Sequence, residues 1–94
     1  MDRQRIDKWL WHARIVRTRT AAAALAERGY VRLNGARVSA ASRAVRVGDI
    51  LTVALDRRVR VMRVTNFTER RGSASDAATL YEALDGETAT DADS

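Results

Sequence analysis

The hydrophobic period of this chain changes at Gly29, and that change limits the possible folds more than any other feature. Before it, Ile6, Trp9, Leu10 and Ala13 fall at i, i+3, i+4 and i+7, the apolar stripe of an amphipathic helix from Gln4 to Ile15. Thr18 fits an N-cap, because its hydroxyl can accept a backbone N–H two or three residues on. A second helix then runs from Arg19 to Arg28 with Ala22, Leu25 and Ala26 inward. Gly29 stands where a left-handed residue ends a helix. Beyond it the apolar residues alternate. Tyr30 to Leu33 and Ala36 to Val38 flank Asn34-Gly35, the strongest short hairpin signal. Ser39 to Ala44 is a loop, Val45 to Val47 alternates again, and Gly48-Asp49 marks a turn. Ile50 to Leu55 and Val59 to Val64 form two strands across the turn Asp56-Arg57-Arg58. A polar loop from Thr68 to Ser75 leads to a last short helix, capped by Ser75, with Ala77, Leu80, Tyr81 and Leu84 on one face. The expected class is α+β: two N-terminal helices packed on a small, mostly antiparallel sheet, with a short C-terminal helix.

Charge is distributed unevenly over this plan. Residues 1–71 carry 17 basic and 6 acidic side chains, formally +11, whereas residues 72–94 carry 6 acids and no base. Sixteen of the seventeen bases are Arg, whose planar fork grips phosphate in a bidentate way and stacks on bases. Such a field on a chain of 94 residues attracts polyanions, of which nucleic acid is the commonest. The plainer reading is a solvated Arg-rich surface. The placement of the bases favours binding: Arg5 and Lys8 share a helix face with His12, Arg14 lies beside Trp11, and Arg19 opens the second helix. The N-terminus of that helix, at Thr18-Arg19-Thr20, offers backbone N–H groups and a positive dipole end to phosphate. Arg37 and Arg43 extend the surface beyond the hairpin. Trp9 is on the apolar stripe and belongs to the core. Trp11 is off it, and is either a partly exposed packing residue or a stacking platform for a base. His12 reads as a surface polar residue.

Other chemistry has little support. The absence of Cys removes disulfides and thiolate metal sites, and His12 alone cannot hold zinc. There is no Gly-rich phosphate loop, no Ser or Thr with an evident base, and no paired acids free of basic neighbours. No catalysis, metal or cofactor is expected. No apolar run approaches the roughly 20 residues that span a bilayer, so no membrane partner is expected and a cytoplasmic protein is.

Three segments carry a resemblance: Arg5-Ile6-Asp7-Lys8-Trp9-Leu10-Trp11, Arg17-Thr18-Arg19-Thr20, and Gly29-Tyr30-Val31-Arg32-Leu33-Asn34-Gly35. Together they resemble the S4-type RNA-binding domain, with its Arg-Leu-Asp opening helix, Ser/Thr-Arg-Ser/Thr helix start and Gly-x-Val-x-Val-Asn-Gly hairpin. Ile6 stands at the Leu position and Leu33 at the second Val. Trp9-Leu10-Trp11, Arg17-Thr18-Arg19 and Ala77 to Glu82 are similar to the heat-shock protein 15 family within it. The resemblance implies binding to structured ribosomal RNA, on large subunits that still hold peptidyl-tRNA after a stalled ribosome has split. Shorter relatives assist tagging of the blocked nascent chain. Position by position, it places Arg5, Lys8, Arg14, Thr18, Arg19, Arg37 and Arg43 among the RNA-facing residues and makes Asp7 an orienting partner for a nearby Arg. Gly29, Asn34 and Gly35 are structural. Longer members continue into a basic C-terminal extension where this chain turns acidic.

The expected organisation is an S4-like domain over residues 1–66, a loop and short helix packed on it over 67–85, and an acidic, unfolded tail over 86–94. A free-standing monomer is expected. Two further classes stand beside ribosome rescue: a general rRNA- or tRNA-binding assembly factor, and the accessory S4 module of an RNA-modifying enzyme. A DNA-binding protein is disfavoured, because no long recognition helix with base-reading Asn or Gln is present.

Overall fold

The computed structural model describes residues 2–84, so the proposed acidic tail lies outside the described residues. The elements follow in the order β1 (Arg3–Arg5), α1 (Ile6–His12), α2 (Arg19–Glu27), β2 (Val31–Leu33), β3 (Ala36–Arg37), β4 (Ala44–Arg46), β5 (Ile50–Ala54), β6 (Val59–Val64), α3 (Ala74–Ala77) and β7 (Tyr81–Ala83). Five strands form one antiparallel sheet in the order β3-β2-β5-β6-β7. A separate two-stranded ribbon pairs β1 with β4. The fold is α+β, as the change of period implies.

The core collects the residues that the two periods select. Ile6, Trp9, Leu10 and Ala13 from α1 are buried, with Ala22 and Ala26 of α2 packed into the same cluster. Val31, Leu33, Leu51, Val53, Met62 and Val64 meet them from alternate positions of β2, β5 and β6. Small residues on α2 let it lie close to α1, while Leu25 is half-buried at the margin rather than fully inward.

Both long helices end in a Schellman closure. In α2, Gly29 N–H donates to Ala26 and Tyr30 N–H to Leu25, with Gly29 at φ +86°. In α1, Arg14 N–H donates to Trp11 and Ile15 N–H to Leu10, with Arg14 itself left-handed at φ 61°. An Arg at that position explains why the helix stops at His12 rather than Ile15: no Gly announces the end. Its beginning also differs from the sequence expectation. Gln4 and Arg5 belong to β1, opposite Val45 and Ala44, because the ribbon captures this stretch before the helix can start. Asn34 and Gly35 are both left-handed, at φ 51° and 87°, as a tight hairpin of this kind requires. The Asn34 side chain also accepts from Ile50 N–H and donates to Asp49 Oδ1, tying the hairpin to β5.

The C-terminal part departs furthest from its sequence reading. Ser73, not Ser75, caps α3, in a reciprocal box with Asp76. The helix is four residues long, and Tyr81 to Ala83 pair with Val64 to Met62 as β7. The open edge of β6 offers a ladder of backbone partners that a marginal short helix cannot match. Leu84 is accordingly exposed, although Ala77 and Leu80 are buried as expected.

The segment from Asn66 to Gly72, expected as a polar loop from Thr68, is bound as a strap across α1. Trp9 Nε1 donates to the Asn66 carbonyl, and Gln4 Nε2 and His12 Nδ1 both donate to that of Thr68. Arg14 donates through Nε and Nη2 to the Gly72 carbonyl. In return, Arg71 donates to the carbonyls of Trp11 and Val16. His12 is therefore a buried residue, 1% exposed, and not the surface polar group its helical position suggests. Burial lowers its pKa below the ordinary 6.5, and Lys8, Arg19 and Arg71 push in the same direction against the opposing Thr68 hydrogen bond.

Two expectations follow. Gly29→Ala places a Cβ 2.2 Å from the Arg37 guanidinium and forces a side chain into the left-handed region, so it should cost about 1–3 kcal/mol. Urea unfolding should show a lower midpoint with an unchanged slope. For His12 the unfolded chain takes up the proton more readily than the folded one. Its contribution to stability is therefore complete above the ordinary pKa and declines as pH falls below it. The Tm should drop between about pH 7.5 and about pH 5.5, and His12→Asn should flatten that dependence in a scanning calorimetry series.

Candidate nucleic-acid interface

Asp7 stands in the first turn of α1, where a negative charge complements the helix dipole. Its side chain is 4% exposed, and both carboxylate oxygens are occupied. Arg5 grips it from β1 as a fork, Nε to Oδ1 at 3.1 Å and Nη2 to Oδ2 at 3.0 Å. Lys8 N–H donates to Oδ1 at 2.7 Å, and Arg19 Nε at the start of α2 lies 3.6 Å from Oδ2. One buried acid thus holds two arginines from segments that are distant in sequence, each about half exposed at 50% and 43%. Lys8 is half-buried beside them. Asp7 is thus in direct contact with the guanidinium groups of Arg5 and Arg19.

Thr18 caps α2 by accepting Ala21 N–H at 3.0 Å, which satisfies one N–H of that helix start. Arg43 joins this side through its backbone: its carbonyl accepts Ile6 N–H at 2.8 Å, next to Arg5. Arg5, Lys8, Thr18, Arg19 and Arg43 therefore surround the junction of β1, α1 and α2.

The other sequence-selected residues go elsewhere. Arg14 is exposed, but Nε and Nη2 of its guanidinium are directed to the Gly72 carbonyl. Arg37 lies over Gly29 with Nη2 3.5 Å from the Arg28 carbonyl, at the C-terminal end of α2. The nine residues of α2, about 13 Å of helix, separate it from the Arg19 end. Trp11 is half-buried, and the Arg71 guanidinium sits 5.7 Å from its ring centroid, covering one face against stacking. Trp9 is fully buried and meets Tyr81 edge-on at 6.3 Å. Arg71 itself was not singled out by the sequence; its partners lie 55 and 60 residues away, so no local signal marks it.

At the basic junction the side chains of Arg5 and Arg19 are open to solvent on one side. Two hollows lie elsewhere, one around His12, Thr68 and Leu80, the other around Val16, Leu25 and Tyr30. Among the described residues, no group of His, Asp and Glu could hold a metal ion, and no helix is long and apolar enough to cross a membrane. Half-exposed guanidinium groups held side by side suit an extended polyanion.

Replacing Asp7 tests the brace directly. Asp7→Ala removes charge-assisted hydrogen bonds whose Arg partners can be rehydrated, so the expected loss is about 1–3 kcal/mol rather than collapse of the fold. Chemical denaturation of the variant reads this value.

Comparison with known proteins now adds to this geometry. The S4 domain family model matches residues 4–51. Heat shock protein 15 of Escherichia coli is 44% identical over 78 residues, covering 83% of this chain and 58% of that protein. The chain thus spans less than two thirds of the length of this relative. The RQC P-site tRNA stabilizing factor of Halalkalibacterium halodurans is 33% identical over 78 residues, covering 83% of this chain and 86% of the relative. The solved structure of Vibrio cholerae heat shock protein 15, described as trimeric, superposes with a TM-score of 0.84 at 29% identity, over 95% of this chain and 89% of that one. By the shared S4 segment, the similarity over 78 residues and the common fold, this chain belongs to the S4-domain family of heat shock protein 15 and the RQC P-site tRNA stabilizing factor.

Proposed function

We propose that this protein is a non-catalytic RNA-binding protein of the ribosome, which docks on structured ribosomal RNA of the large subunit while a peptidyl-tRNA is still present after stalling. The observation that carries the reading is the Asp7-held pair of arginines, with Lys8 and the capped start of α2 beside it. Structured RNA presents phosphates and 2′-hydroxyls on a fixed shape, and preordered arginines lose little freedom in meeting it. The name of the halodurans relative, a P-site tRNA stabilizing factor, supports the tRNA part of this reading. The junction is completed within one chain, so a single copy is taken as the binding unit, in the cytoplasm where ribosomes work. Residues 1–66 act as the binding domain and the following segment as its buttress.

Sedimentation with purified large subunits tests the proposal. The protein should pellet with subunits carrying peptidyl-tRNA more than with empty ones. Lys8→Ala combined with Arg19→Ala should keep the fold, weaken binding roughly tenfold or more, and make the salt dependence shallower by about two phosphate contacts. Equal binding to empty and tRNA-bearing subunits would favour a general rRNA-binding assembly factor. Full affinity in the double variant would remove the junction as the interface.

A further inference from the structure

We propose that the β1–β4 ribbon is a second phosphate-binding track, in which Arg3 and Arg46 hold the backbone of the same RNA beyond the Asp7 junction; this rests on the RNA-binding reading above. In the ribbon, Gln4 and Val45 face inward and are buried, so Arg3, Arg5 and Arg46 face outward. The register sets Arg3 directly opposite Arg46 and Arg5 opposite Ala44. Like charges facing one another across an antiparallel pair are destabilising, with Cβ atoms only about 4.5–5.5 Å apart. Among the described residues, no carboxylate forms an ion pair with either Arg3 or Arg46. Asp49 is near in sequence, yet it accepts the backbone N–H of Arg46 and the amide of Asn34 rather than the guanidinium. Asp7 is already shared by Arg5 and Arg19. An unrelieved Arg–Arg pair on a ribbon anchored from beneath is a poor device for stability and a good one for a polyanion, whose phosphate neutralises both charges at once.

The ribbon also continues the first site. Arg5 belongs to both: its guanidinium meets Asp7, and Arg3 follows it two residues along the same outward face, about 6.8 Å away. Arg43, whose carbonyl receives the Ile6 N–H, flanks the crossing point. Arg19, Arg5, Arg3 and Arg46 therefore form a bent cationic line from the start of α2 to the outer end of the ribbon. Successive phosphates of one RNA strand fit such a line without any base-reading group.

The experiment uses the full chain and a fluorescein-labelled RNA stem-loop, followed by anisotropy over a salt series. Arg3→Gln with Arg46→Gln should bind roughly tenfold more weakly at low salt, with the slope of log K against log salt reduced by about two. Its Tm should be equal to or above that of the unaltered protein, since a repulsive pair has been removed. Arg57→Gln with Arg58→Gln, an equal change of net charge on the β5–β6 turn, should bind nearly as tightly as the unaltered protein. Unchanged affinity and slope in the Arg3/Arg46 variant overturn the inference alone and leave the ribbon to a partner other than RNA. An equal loss in the turn variant also overturns it, because net charge then suffices. Failure of the unaltered protein to bind the stem-loop or large subunits overturns this inference together with the proposed function.

Discussion

The carboxylate of Asp7 meets the end of β1, the first turn of α1 and the first residue of α2 at one point. Burying a carboxylate is costly unless its lone pairs are used, and here the fork of Arg5, the Lys8 N–H and the Arg19 guanidinium use them. The arrangement is asymmetric in a useful way. The acid is dry while both bases remain half in water, so each guanidinium is held on one side and open on the other. Behind it, Ala22 and Ala26 of α2 pack into the same core cluster as Ile6, Trp9 and Leu10 of α1.

Counting arginines overstates the binding surface of this molecule. Several of them serve carbonyl groups of the chain itself: Arg14 at Gly72, Arg71 at Trp11 and Val16, Arg32 at Gly35. A carbonyl leaves the guanidinium charge formally intact but directs its donors inward. The residues at the Asp7 junction and along the ribbon differ, since their free edges face solvent. Placement rather than number separates the arginines that build the fold from those available to a partner.

Local chemistry was legible in the sequence wherever cause and effect lie within a few residues. The stripe from Ile6 to Ala13, the Thr18 cap, the Gly29 stop and the Asn34-Gly35 hairpin all have that character. The elements that escaped have distant partners. β1 needs β4 some forty residues on, β7 needs the free edge of β6, and His12 is buried only because the Thr68 carbonyl comes to it. Arg14 ends α1 without the Gly that normally signals such an end. The same distinction holds for the site. The resemblance tied Asp7 to a nearby Arg, whereas helical spacing put Arg5 and Lys8 together only with His12. Spacing could not foresee that Arg37 would lie at the far end of α2, or that Arg71 would cover Trp11.

The strap from Asn66 to Gly72 has a consequence for the order in which the chain becomes competent. Trp9, Gln4, His12 and Arg14 find their carbonyl partners only once residues as late as Gly72 are present. During synthesis from the N-terminus, the basic helices therefore emerge first and wait, incompletely seated, until the strap has followed them. A nascent chain at that stage carries the positive charge without the rigid geometry. The rigid geometry of the basic helices thus waits on residues 56 to 64 positions further along the chain.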